Sequence, residues 1–259
     1  MKRPTIAIIG AGRLGTALAQ RLSEAGYIPE ILPRNKRSNI QRQEIIWFCV
    51  PDAQVEEAAK SFLKLQWNAK YAFHSSGVLS SDVLSPLRKA GTRVASLHPL
   101  MTFVKGSVPE LADVPFAIEG DPAAVRMART VVRSLGGKPV AIRKQDKVAY
   151  HAFATMICPL LVSLLAASEK AAALAGISAA DARRRMLPII FQTLRNYQKL
   201  GPAKAFSGPI VRGDVATIRA HLDVLTKSPS SKKAYAVLAR TALDVLPNRN
   251  RSQIARLLD

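Results

Sequence analysis

Cysteine is nearly absent from this chain: there are two, Cys49 and Cys158, each inside an apolar run. Two thiols cannot build a disulfide framework, and a reducing compartment, the cytoplasm, is the expected setting. Histidine is almost as scarce, with four residues, His74, His98, His151 and His221. None stands in an H-x-x-x-H, H-E-x-x-H or C-x-x-C spacing, so no metal site is expected. Acidic side chains are outnumbered, 18 Asp and Glu against 38 Lys and Arg, for a net charge of +20. Such an excess attracts phosphates, acidic metabolites or nucleic acid. The basic residues are scattered rather than gathered in a tail, and no helix-turn-helix, RNP or zinc-finger pattern accompanies them. A solvated basic surface is therefore expected, and a specific nucleic-acid partner is not. Long apolar runs are lacking with one exception, FATMICPLLVSLLAA from Phe153 to Ala167. It is short for a membrane span and Pro159 interrupts it, so it reads as a buried helix and no membrane partner is expected. The apolar stretch Thr5–Gly10 is too short and glycine-rich for a secretory signal.

What is present falls into two rhythms. The 259 residues, 48% hydrophobic and 22% charged, can bury a core as one large domain or two smaller ones. Up to about Arg143, β-rich runs (TIAIIG, YIPEIL, EIIWFCV, KYAFHS, TRVASLH, VPFAIEG and KPVAIR) alternate with amphipathic helices such as Gly15–Ala25, Val55–Leu63 and Pro122–Leu135. That alternation predicts an α/β domain with a mostly parallel sheet covered on both faces. After Lys144 the strands stop. One long helix is expected from Asp146 to Ile177, with Gly176 as its end signal. Helices over Ala179–Leu200, Asp214–Leu225, Ser230–Val245 and Arg249–Leu258 should follow, with Asp181 and Ser230 near helix starts. The expected organisation is residues 1–145 as an α/β domain and 146–259 as an all-α domain.

The stretch TIAIIGAGRLGTALAQRL places Gly10, Gly12 and Gly15 in G-x-G-x-x-G after the first strand and at the start of a helix. Gly10 permits a tight turn, Gly12 a close approach of backbone to pyrophosphate, and Gly15 close packing of helix on strand. Ala11, Arg13 and Leu14 complete the loop whose amides would face the phosphates. The second strand then chooses between cofactors. NAD sites carry an acidic residue at its end, whereas YIPEIL runs into PRNKRSN. Glu30 lies inside the strand and should point away. Arg34, with Asn35 and Arg37, suits a 2′-phosphate, because a guanidinium donates two parallel hydrogen bonds. NADP(H) is the expected cofactor.

His74 and His98 each end a strand, in FHSSG and SLHPL. In a parallel sheet the carboxyl ends gather where ligands bind. Val50 and Pro51, after the intervening strand, and His74 and Ser75 should line the cofactor; Ser76 and His98 should face a substrate. A hydrogen-bonded loop anchor is the plainer role for either histidine. Lys147 and His151, at i and i+4, share one face at the start of the long helix and form a candidate proton-donating pair. In GPIVRGDVATIRAHL, Asp214, Thr217 and His221 follow at helical spacing, and Arg212 before them can bind a carboxylate bidentately. Asp214 can equally cap that helix.

These stretches, together with VPDAQV, HSSGVLSSDVLSPLRKAGTRVASLHPLMTF and KVAYHAFAT, resemble a bacterial family that joins an N-terminal Rossmann-like oxidoreductase domain to a C-terminal domain of unknown function, DUF2520. The resemblance covers essentially the whole chain. The family is similar in architecture to ketopantoate reductase, pyrroline-carboxylate reductase and β-hydroxyacid dehydrogenases. It implies that Gly10, Gly12, Gly15 and Arg34 hold NADP(H), that Lys147 protonates the substrate, and that the chain forms a homodimer. His151 stands where ketopantoate-reductase-like enzymes carry an Asn, and Cys158–Pro159 where relatives carry Ser-Asn. The expected function is NADPH-dependent reduction of the C=O or C=N of a small acidic metabolite, a 2-keto acid such as ketopantoate. The alternative is a non-catalytic NADP(H)-binding regulatory protein.

Overall fold

A computed structural model describes residues 3–32, 43–64 and 69–259. The chain divides into two compact units, Met1–Cys158 and Pro159–Asp259.

In the first unit, β1 (Ile6–Ile9), β2 (Pro29–Leu32), β3 (Ile45–Phe48), β4 (Tyr71–His74), β5 (Arg93–Pro99), β6 (Pro115–Gly120) and β7 (Lys138–Ala141) form one sheet. Their order is β2-β1-β3-β4-β5-β6-β7. Each falls within one of the seven predicted runs except β5, which extends one residue past TRVASLH to Pro99. The strands from β2 to β5 pair in parallel, whereas β6 runs antiparallel to β5 and β7 again parallel to β6. The segment between β5 and β6 contains no helix, and a parallel return would need a crossover.

The buried runs read apolar throughout because both faces are covered. Ile6, Ile8, Trp47 and Phe73 pack with Leu18 and Leu22 of α1 (Arg13–Glu24). Helix α4 (Pro122–Ser134) adds Ala124, Ala128 and Val131 to the same face. The alternate residues Ala7, Ile9, Ile46 and Phe48 meet Val55, Ala59 and Phe62 of α2 (Asp52–Leu63) and Leu87 of α3 (Ser85–Lys89). The period of two along each strand sorts one apolar run into two cores. The unit ends with α5 (Lys147–Ile157).

The second unit is helical: α6 (Pro159–Ala173), α7 (Ala179–Ala205), α8 (Pro209–Arg212), α9 (Val215–Val224), α10 (Pro229–Val245) and α11 (Arg251–Leu258). Its core is small, built on Ile218, Leu222, Leu243 and Ile254.

Three expectations about the helices change. The long helix expected after Asp146 is broken at Cys158 (φ −122, ψ −83), because Pro159 has no amide to donate and its ring crowds the preceding turn. Helix α7 is capped by Ser178, whose hydroxyl accepts from the Asp181 amide at 3.1 Å, and α10 begins at Pro229 after Ser228, with no side-chain cap. Finally, the apolar run is not buried. Phe153, Met156, Leu160 and Val162 are all exposed. Lys144–Ala173 is apolar enough by length and composition to cross a membrane, and none of its most apolar window is buried.

Candidate functional site

The glycine turn joins β1 to α1 as predicted. Gly10 has φ +112, and a Cβ there would stand 2.6 Å from the Cys49 carbonyl oxygen. At Gly15 a Cβ would stand 2.0 Å from the Gly10 carbonyl oxygen. These two glycines are demanded by the fold itself. Gly12 is different: it is the N-cap of α1, and a Cβ there would meet nothing within 4 Å. Packing does not require glycine at this position. What its missing side chain preserves is open space over the first turn, where Arg13, Leu14 and Gly15 present amides that no earlier helical carbonyl can accept. That cradle fits a pyrophosphate. Ala11 is exposed. Val50 packs beside Gly10, its Cγ1 3.2 Å from the position of a Gly10 Cβ, and Pro51 is the N-cap of α2. Glu30 accepts a hydrogen bond from Gln43 Nε2 at 3.0 Å. Arg34, Asn35 and Arg37 lie outside the described residues.

A second cluster forms at the carboxyl ends of β4 and β5. Among the described residues eight polar or charged side chains are buried, and five of them, His74, Ser76, Ser81, Ser96 and Lys147, lie within this cluster or the turn beside it. Lys147 is 0% exposed. Its Nζ faces the protein interior, donating to the Ser96 hydroxyl at 2.7 Å and to the Ser76 carbonyl at 3.1 Å. Burial lowers the Lys147 pKa below the ordinary ammonium range, against the opposing charges of Glu119 and Asp52.

His74 and Ser75, expected to line a cofactor, are engaged within the protein. The Ser76 amide donates to His74 Nδ1 at 3.2 Å, so that nitrogen carries no proton, and Nε2 donates to the Ser80 carbonyl at 3.2 Å. Burial first, and then the charge of Lys147, pushes the His74 pKa down to about 3, so the ring is neutral and fixed in one tautomer. Its role is that of a loop anchor. The Ser75 hydroxyl accepts from Trp47 Nε1 at 2.8 Å. Ser76, expected to meet substrate, uses its hydroxyl to accept from the Val78 and Leu79 amides at 3.2 and 2.9 Å.

His98 is the less occupied of the strand-end histidines. Its Nδ1 is buried and has no hydrogen-bond partner. Burial, with the charges of Lys147 and His151, pushes its pKa down to about 4. The His98 ring stands edge-on to those of Tyr150 and His151, with centroids 5.7 Å away in each case. The Tyr150 hydroxyl is likewise buried without a partner. Three residues here escaped the sequence reading. Ser96 is signalled by a lone hydroxyl in an apolar strand, two residues from His98 and so on its face. Tyr150 adjoins His151 but turns toward His98. Gly77 follows the serine pair, and a Cβ on it would stand 2.3 Å from His151 Cδ2 and 2.9 Å from His98 Nε2.

The remaining predicted residues belong to the second unit. Asp214 is the N-cap of α9, accepting from the Thr217 amide at 3.1 Å and the Thr217 hydroxyl at 2.7 Å. Those bonds hold its carboxyl below the usual carboxylate range. His221 Nδ1 lies 3.2 Å from the Tyr235 hydroxyl. Arg212 is exposed at the end of α8. Asp214 and Thr217 are thus joined as a cap, and His221 pairs with α10 instead of with them.

Residues 114–242 match the family model described as Domain of unknown function (DUF2520), and that part of the chain carries this domain. No curated protein matches the chain. Solved structures are similar to it over nearly its whole length. The Bacteroides fragilis protein BF3122 has 20% identity and a TM-score of 0.78, over 92% of this chain and 97% of that one. An imine reductase from Pseudomonas sp. has 18% identity and a TM-score of 0.64 over all of both chains. Pyrroline carboxylate reductase from Plasmodium falciparum, solved with NADP bound, has 13% identity and a TM-score of 0.64 over all of both chains. At these identities the likeness shows a common fold.

Proposed function

We propose that this chain, with its DUF2520 domain and Rossmann-type sheet, is an NADPH-dependent reductase of the C=N or C=O bond of a small acidic metabolite. The observation that carries the reading is the pair of buried, unpartnered polar atoms, His98 Nδ1 and the Tyr150 hydroxyl, beside the His151 ring. Buried polar atoms without partners are rare, and here they sit where strand ends gather in the same sheet as the glycine turn. The relatives supply the reaction class: two of the similar structures are an imine reductase and a pyrroline carboxylate reductase with NADP.

Gly12 and the amides of Arg13, Leu14 and Gly15 would hold the pyrophosphate, with Arg34, Asn35 and Arg37 assigned to the 2′-phosphate on sequence. When bound, the cofactor supplies a hydride. His151, partly exposed where Lys147 is not, is assigned the transfer of a proton to the reduced nitrogen or oxygen. Lys147 backs the site as a buried cation, favouring negative charge that develops there. Arg212 is assigned to the substrate carboxylate. The exposed apolar residues of α6 and α7, among them Leu160, Val162, Ile189, Phe191 and Leu194, are assigned to a second copy of the chain, since a monomer rarely exposes so large an apolar surface. A cytoplasmic setting is assigned on the two thiols, both unpaired.

NADPH oxidation against cyclic imines bearing a carboxylate and against 2-keto acids including ketopantoate tests the reading. Turnover on either class supports it. The burial of Lys147 favours a second reading, a regulatory protein that binds NADP(H); NADPH binding without turnover on any substrate selects that one.

A further inference from the structure

The buried polar residues near Lys147 do not end at the two strands already described. Glu119 on β6 is 6% exposed. It pairs across the sheet with Ser96 on β5, which in turn pairs with His74 on β4. Residues paired in this way project from the same face, so His74, Ser96 and Glu119 form one polar row across three adjacent strands. Its middle member holds the Lys147 ammonium at 2.7 Å.

A second connection links the ends of the row. Glu119 Oε1 accepts from the Ser81 amide at 2.6 Å, and Oε2 accepts from the Ser81 hydroxyl at 2.8 Å. The carbonyl of the same peptide unit, that of Ser80, accepts from His74 Nε2 at 3.2 Å. A trans peptide is planar and points its N–H and C=O in opposite directions. The Ser80–Ser81 unit is therefore a rigid strut with Glu119 at one end and His74 at the other. An anion on the N–H polarises the carbonyl and strengthens the bond it accepts. His74 passes the constraint on: its Nδ1 holds the Ser76 amide, and the Ser76 carbonyl is the second acceptor of Lys147.

We propose that Glu119 is a positioning residue for Lys147, acting through the Ser80–Ser81 peptide and His74 and supplying a buried opposite charge to the ammonium. It touches neither cofactor nor substrate. Its catalytic consequence rests on the reductase reading, whereas its effect on His74 does not. Among the described residues, Ser76 and Ser96 accept from Lys147, and His74 on β4, His98 on β5, Glu119 on β6 and Asp52 on α2 interact with it by charge; Tyr150 and His151 follow it by about one turn on its own helix. At the outer end Arg88 Nη2 reaches the Ser81 hydroxyl at 3.4 Å while its Nε pairs with Asp121.

Two substitutions separate charge from reach. Glu119→Gln keeps the length and removes the charge; Glu119→Asp keeps the charge and shortens the arm. Long-range ¹H–¹⁵N spectra of the full chain read the four imidazoles directly, without turnover. In the parent His74 should hold one neutral tautomer from pH 5 to 9, and in Glu119→Asp its two nitrogen signals should move toward a tautomer average. In the reductase assay Glu119→Gln should lower kcat about tenfold with the KM for NADPH unchanged. It should also move to lower pH the alkaline limb that Lys147 contributes to the kcat profile, since a lost anion favours the neutral amine. If either variant fails to fold, Ser81→Ala, which deletes only the hydroxyl contact, carries the same spectral readout. His74 signals identical to the parent's in every folded variant would overturn the proposal, as would an unmoved alkaline limb. A parent with no turnover on any substrate defeats the reductase reading alone, and the His74 spectra then decide the positioning role.

Discussion

Gly77 and His151 are packed so closely that a Cβ on the glycine would stand 2.3 Å from the imidazole Cδ2. The same added carbon would stand 2.9 Å from His98 Nε2. Gly77→Ala must therefore part the two rings on which the proposed chemistry depends. Overpacking of this kind costs about 1–3 kcal/mol, and thermal unfolding should show that loss. Reductase turnover should fall at least about a hundredfold, the scale on which misplaced groups cost rate. A variant with parental stability and turnover would show that the rings need not be held where they are.

The glycines of the cofactor turn should separate into two classes. Gly15→Ala meets a carbonyl oxygen at 2.0 Å and should destabilise the first unit as well as weaken cofactor binding. Gly12→Ala meets nothing within 4 Å and should leave the melting temperature unchanged while weakening NADPH. Titration of each variant with NADPH, beside its thermal melt, checks both. Unaltered affinity in Gly12→Ala would remove the pyrophosphate from that cradle.

Acid should loosen the protein before its carboxylates titrate. His74 and His98 have folded pKa values of about 3 and about 4, against an unfolded value of 6.5. Below 6.5 the unfolded chain takes up protons that the folded chain refuses. The stabilisation is present above about 6.5 and drains away as pH falls through about 4 for His98 and about 3 for His74. The denaturant midpoint should fall between pH 7 and pH 5, and His98→Gln should flatten part of that slope. A midpoint that stays level over this range would contradict the buried, neutral state of both rings.

Asp214 offers a contrast between capping and catalysis. Its carboxylate accepts both the Thr217 amide and the Thr217 hydroxyl. Asp214→Ala should cost about 1 kcal/mol of stability, as cap removal does, with NADPH affinity unchanged. A loss of turnover with stability intact would give it a substrate role beside the cap.

The legibility of this protein in its sequence was uneven for physical reasons. Strand runs such as EIIWFCV are apolar because both faces are covered, and that signal located the inner strands, whereas the edge strands β2 and β7 are largely unburied and were legible only as short β-rich runs. The antiparallel turn into β6 left no such mark, because it follows from a missing crossover helix. Gly10, Gly12 and Gly15 were readable as a set, yet only the packing shows that Gly12 alone is free of it. Lys147 and His151 were found by helical spacing, whereas Ser96 and Glu119 join them through pairing of strands distant in sequence, which periodicity along a single strand does not reveal. The break at Cys158 is visible in Pro159. The exposure of α6 is not, because an apolar helix looks the same whether its own chain or another covers it.

The most direct test of the central claim is calorimetric titration of the folded chain with NADPH and, separately, with NADH. A guanidinium on the 2′-phosphate forms charge-assisted hydrogen bonds worth about 1.5–3 kcal/mol. NADPH should therefore bind at least about tenfold more tightly than NADH, and Arg34→Ala should erase most of that difference. Absence of heat with either nucleotide, or equal affinity for both in the parent, would contradict the account.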